Sequence, residues 1–124
     1  MIDFKEYFSP LLDDQYQNSS NWQSTQLGLL ITSHNLKVFP EYKFCEIAIF
    51  NVNEYEGTTN IVSKNSCKIR QEFYDLHFDN PPRICDLGYL SLSENRKDSF
   101  SALEFVSKHL IENGIFPIII GGGA

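Results

Sequence analysis

The sequence predicts an α/β domain, a three-layer α/β/α arrangement with a mainly parallel sheet, and three observations lead there. The run Phe44 to Val52 is nearly continuous in apolar and β-branched residues, as a strand covered on both faces requires. Strand and helix patterns then alternate to the end of the chain, which specifies crossover connections between parallel strands. The composition is that of a packed globular protein: of 124 residues 42% are hydrophobic and 21% charged.

Residues 1–25 read as an amino-terminal adapter segment and 26–124 as the α/β portion. Asp3 to Phe8 suits one or two helical turns stopped at Ser9-Pro10, with Leu11 and Leu12 tucked against the body. A polar stretch from Asp13 to Asn21 follows, then Trp22, a packing anchor. Gln26 to Thr32 fits strand or helix equally, because so few residues carry no decisive period. Pro40 and Glu41 mark a loop before the strand 44–52. The polar loop Asn53 to Asn60 lies at that strand's carboxyl end, where open parallel sheets hold ligands.

Asn65 or Ser66 is suited to cap a helix running to about His77, with Ile69, Phe73 and Leu76 as its buried face. Asn80-Pro81-Pro82 blocks any continuation. Arg83 to Leu87 is a short strand, and Gly88 permits a turn out of it. Asp98 or Ser99 caps the next helix, whose inward positions are Leu103, Val106, Leu110 and Ile111. Asn113-Gly114 ends it with a residue suited to a left-handed conformation. Phe116 to Ile120 is the last strand, leading into Gly121-Gly122-Gly123-Ala124. A buried strand entering three glycines normally feeds another helix, so the chain is expected to be an excised part of a longer protein.

Charge and cysteine usage exclude several function classes. A formal charge of −6, with scattered Lys and Arg, argues against nucleic acid, whose phosphates demand clustered cations. Cys45, Cys67 and Cys85 form no C-x-x-C pair, so they read as free thiols in a reducing cytoplasm. The opening Met-Ile-Asp-Phe-Lys-Glu has no secretory pattern, and no apolar run approaches a membrane span. The triple glycine lacks both a G-x-G-x-x-G pattern and the Lys-Ser/Thr of a phosphate loop.

Four stretches, in one order, carry a resemblance. Ile47-Ala48-Ile49-Phe50-Asn51-Val52 with the acidic loop Asn53 to Gly57 resembles the first core strand and loop of the ureohydrolases, the arginase, agmatinase and formiminoglutamase family. Ser66-Cys67-Lys68-Ile69-Arg70 with Phe73-Tyr74-Asp75-Leu76 is similar to the family helix that opens on an Ile-Arg pair. Ile84-Cys85-Asp86-Leu87-Gly88 looks like its Asp-Leu-Gly strand end, and Phe116 to Gly123 like the strand entering its Gly-Gly-x-His motif. The match spans about residues 44–124, with a lean toward the formiminoglutamase branch.

The resemblance implies hydrolysis of a small cationic amidine or guanidine by water bridging a pair of manganese ions. Independently of the resemblance, an exposed apolar edge beside Phe116 to Ile120 is expected to drive self-association or a homo-oligomer. The ligands expected are a histidine after the glycines and an Asp-x-His-x-Asp cluster downstream. Ala124 stands where that histidine would be, so no catalytic, cofactor-binding or metal residue is assigned to this chain.

Other candidates have plain structural roles. His34, His77 and His109 show no mutual metal-ligand spacing, and His77 and His109 fall near helix ends, where imidazoles meet free carbonyls. Glu54 and Glu56 suit a cationic group or a solvated loop. Asp86 suits a turn cap, and Arg70 an anchor paired with a nearby acid.

Overall fold

The structure, a computed structural model, describes residues 3–11, 22–52, 64–90 and 96–121. Among these residues it is a small α/β domain with one mixed sheet of five strands and three helices. The strands are β1 (Phe8–Ser9), β2 (Thr32–Ser33), β3 (Ile47–Val52), β4 (Ile84–Leu90) and β5 (Phe116–Gly121). The helices are α1 (Leu27–Leu30), α2 (Lys64–Asp75) and α3 (Arg96–Glu112), with 3-10 turns at Phe4–Tyr7 and Tyr42–Phe44.

The sheet runs β1-β4-β3-β5, with β2 also on β4. β4 pairs in parallel with β3 and β2, and β3 in parallel with β5; β1 alone runs antiparallel, Phe8 opposite Leu90. β1 and β2 share one side of β4, and the backbone stitches them there. His34 N–H donates to the Asp86 carbonyl at 2.9 Å, and Leu11 N–H to the His34 carbonyl at 3.0 Å. Neither two-residue strand has a readable period.

Alternation along β3 divides the core. Ala48 and Phe50 join Phe8, Cys85, Leu87, Leu90, Val106, Leu110 and Ile115 in one apolar cluster, which rests on α3. Ile49 joins Leu27, Ile31, Tyr74, Ile84 and Ile120 in a second cluster, which rests on α1 and α2. Successive residues of a strand point to opposite faces, so each helix set has its own half of the sheet to cover.

Several element ends differ from the sequence expectation. α2 starts at Lys64 and α3 at Arg96, so Asn65, Ser66, Asp98 and Ser99 lie inside helices instead of capping them. Phe44 belongs to a 3-10 turn rather than to β3, and is exposed. The ambiguous Gln26 to Thr32 resolves into both forms, one turn of helix and then β2. The end of α3 is as expected. Gly114 has φ +75°, and Ile115 N–H returns to Leu110 O while Gly114 N–H returns to Ile111 O. These two bonds form a Schellman closure, and Leu110 and Ile115 meet in the core behind it.

Leu12, the stretch 13–21, the loop 53–60 with Glu54 and Glu56, and residues 122–124 lie outside the described residues.

Candidate functional site

α2 presents its polar side to the sheet. Arg70 and Tyr74, four residues apart and therefore on one face, are 1% and 2% exposed. Ile69 and Leu76, expected as the buried stripe, are about half exposed, and Phe73 is intermediate. The reason lies across the helix in β4. Asp86 is fully buried there, and its carboxylate draws the polar residues inward.

Arg70 grips that carboxylate with two donors, Nε to Oδ2 at 2.8 Å and Nη2 to Oδ1 at 3.0 Å. The Tyr74 hydroxyl donates to Oδ2 at 2.6 Å, and Gly88 N–H donates to Oδ1 at 3.0 Å. Tyr74 has only one proton and gives it to Asp86, so Ser33 Oγ, 2.8 Å away, is the donor in their contact. Burial works against the Arg70 charge, but the Asp86 carboxylate outweighs it and holds the guanidinium above its ordinary range. The anchor role expected of Arg70 is met by Asp86, which is a partner in an ion pair rather than only a turn cap.

A bulge makes this cluster possible. Ile49 lies opposite Asp86 but Phe50 opposite Gly88, so β4 carries one residue more than β3 over this span. Asp86 and Tyr89, three apart, would face opposite sides of a regular strand. The extra residue puts both on the α2 side, where the Arg70 guanidinium lies 5.0 Å from the Tyr89 ring centroid. Gly88 provides the bulge with φ +94°, and a Cβ there would strike the Ser9 carbonyl oxygen of β1. Gly88 was expected to lead out of the strand, yet β4 continues to Leu90.

Asn51 sits next to this cluster. It pairs in register with Tyr89 on one side and Ile120 on the other, and it shares the face of Ile49. It is fully buried, and neither Oδ1 nor Nδ2 has a hydrogen-bond partner among the described residues. Arg70 Nη1 is likewise unpartnered among them. The place is a meaningful one. α2 follows β3 and packs on one face, whereas α3 follows β4 and packs on the other. The chain thus departs in opposite directions from two adjacent strands, and open α/β sheets form their binding crevice at such a point. In the sequence the signal for Asn51 is a single polar residue interrupting an otherwise apolar strand.

The remaining candidates have other roles. His34 is buried, with Nδ1 2.9 Å from the Leu87 carbonyl and its ring edge-on to Phe39. The His77 and His109 rings meet hydroxyls instead of helix-end carbonyls: His77 Nδ1 is 2.7 Å from Thr25 Oγ1, and His109 Nε2 is 2.9 Å from Tyr42 Oη. The His109, Leu110 and Ile111 carbonyls in the last turn of α3 are already taken by backbone N–H groups and the Asn113 side chain. Trp22 anchors as expected, packing on the second cluster with Nε1 donating to Asp75 at 3.0 Å.

Burial pushes the Cys45 and Cys85 thiols up, which leaves them protonated and poorly nucleophilic near neutrality. Among the described residues no group of three or more His, Cys, Asp or Glu side chains is placed to hold a metal ion. No helix among them is long and apolar enough to cross a membrane.

Comparison with known proteins returned no matching family model, no matching curated protein and no matching solved structure.

Proposed function

We propose that this chain is the scaffold half of a metal-dependent amidine or guanidine C–N hydrolase of the ureohydrolase type, such as a formiminoglutamase or agmatinase, and is inactive by itself. The reading takes the sheet as the mainly parallel centre of a three-layer α/β/α domain working in the cytoplasm, self-associated or homo-oligomeric. One observation supports it most. Arg70 of the Ile-Arg pair and Asp86 of the Asp-Leu-Gly stretch, 16 positions apart, meet in a buried two-bond ion pair. Two of the four resembling stretches are therefore physically joined.

The reading assigns no manganese ligand to the described residues. The carboxylate best placed, Asp86, already accepts from Arg70 twice, from Tyr74 and from Gly88. In this reading a pair of manganese ions and their ligands belong to residues beyond Ala124, and no hydrolytic step is derived for the chain alone. Calorimetry with manganese is expected to show no tight stoichiometric uptake; such uptake would overturn the assignment of all ligands elsewhere.

Ala124 favours a second reading, a non-catalytic relative with an assembly or regulatory role, because a methyl group occupies the expected ligand position. Reading the gene beyond codon 124 separates the two. An Asp-x-His-x-Asp cluster is the outcome expected for the hydrolase, and its absence transfers support to the non-catalytic relative.

A further inference from the structure

We propose that Asn51, with Arg70 across the Tyr89 side chain, is a binding site for a small neutral planar group carrying a donor and an acceptor on neighbouring atoms, a carboxamide or ureide. This inference does not depend on the hydrolase reading. It starts from unmet hydrogen-bonding capacity. A fully buried amide with both polar atoms unpartnered among the described residues keeps the desolvation penalty of a donor and an acceptor at once. The guanidinium over the Tyr89 ring carries a third unmet donor among the described residues, Arg70 Nη1. Tyr89 links the two, being the register neighbour of Asn51 and the ring under Arg70.

Charge selects the class of ligand. The Arg70 charge is already matched by Asp86 through two hydrogen bonds at full burial. An incoming carboxylate would add uncompensated negative charge next to Asp86, and an ammonium would add positive charge next to Arg70. A neutral group avoids both. The Asn51 amide offers an acceptor and a donor in one plane, and another amide edge answers them with two parallel hydrogen bonds. The same pairing lets asparagine read an adenine edge. The second lone pair of the ligand carbonyl is then available to Arg70 Nη1. The location agrees, since the divergence of the chain after β3 and β4 is where sheets of this class accept small molecules.

The test is an NMR titration of the isotopically labelled chain with acetamide, N-methylurea, acetate and methylammonium, following the Asn51 side-chain NH₂ and Arg70 Nε resonances. Acetamide and N-methylurea are expected to give saturable shifts of both, while acetate and methylammonium give none. Asn51→Leu, of similar volume, is expected to abolish the Arg70 response while the Schellman-bonded amides of Gly114 and Ile115 stay in place. Absence of a saturable shift with acetamide overturns the proposal, as does acetate binding equally well or an undiminished Arg70 response in Asn51→Leu. If that variant does not fold, the native titration decides alone, because the contrast between acetamide and acetate is read from Asn51 itself.

Discussion

The two faces of the sheet are built on different principles. The α3 face is apolar from end to end, with Phe50, Leu87, Val106 and Leu110 buried against one another. The α2 face is apolar at Ile49, Ile84 and Ile120 but carries polar side chains on the middle of β4 and the carboxyl end of β3. There Arg70, Asp86, Tyr74 and Asn51 are packed as deeply as any leucine. Apolar contacts tolerate small misfits, because dispersion and burial depend weakly on direction. Buried charges do not: the pair holds only while its two hydrogen bonds keep their geometry. One face thus supplies bulk stability, and the other fixes how α2 sits on β4.

That contrast can be broken most severely at the ion pair. Asp86→Ala or Arg70→Met alone is expected to cost about 3–5 kcal/mol, because either leaves a lone buried charge. The double change Arg70→Met with Asp86→Leu removes both charges and is expected to cost far less than the two singles summed, in urea melts of all four proteins. A double mutant as damaged as that sum would mean the pair is not coupled. On the apolar face, Leu110→Ala is expected to cost about 3 kcal/mol without any such coupling, through lost burial and the cavity left under the Schellman turn.

A smaller effect sharpens the comparison through pH. Burial, with Cys45 and Asp86 nearby, pushes the Cys85 thiol far above its ordinary 9.0. In the unfolded chain the thiol ionises near that value, whereas in the fold it stays protonated. The unfolded state therefore loses its proton first. The contribution is intact below pH 9 and lost above it, at about 1.4 kcal/mol per pH unit for one such group. Cys85→Ala is expected to lower stability at pH 7 yet flatten this alkaline slope; an unchanged slope would assign it to other groups.

The smallest effect concerns the outer edge of β5. Phe116 N–H bonds inward to Glu46 O, so the nitrogen of Pro117, next along the strand, faces outward and lacks a donor. Proline at this position blunts the edge, while exposed Phe116 and Ile119 beside it favour association. Sedimentation is expected to show weak self-association at high concentration, reduced by Ile119→Lys and increased by Pro117→Thr. A strictly monomeric chain in all three forms would sink the idea.

What the sequence disclosed depended on how local each signal was. β3 and β5 were legible because a run such as Ile118-Ile119-Ile120 has few alternatives, and the end of α3 because Asn-Gly chemistry acts within a few residues. The buried face of α2 was misjudged because a search for apolar spacing selects Ile69 and Leu76. Only the distant Asp86 explains why Arg70 and Tyr74 turn inward. β1 and β2 escaped notice since two residues carry no period, and their pairing on β4 is a tertiary event. The polar cluster was visible residue by residue, Arg70 as an anchor in want of an acid and Asp86 as a carboxylate near a glycine. Their meeting was not, because it depends on the bulge.

The one-residue offset at Leu87-Gly88 has a consequence for the phase of the strand. β4 behaves as two short segments whose inside and outside are exchanged, joined by a hinge that only glycine fits. Pairing β4 residue for residue, with all its residues kept and the bulge ironed out, would restore perfect alternation and, by doing so, swing Tyr89 to the greasy side and Leu90 into the company of Arg70. Regularity at this point would be the defect.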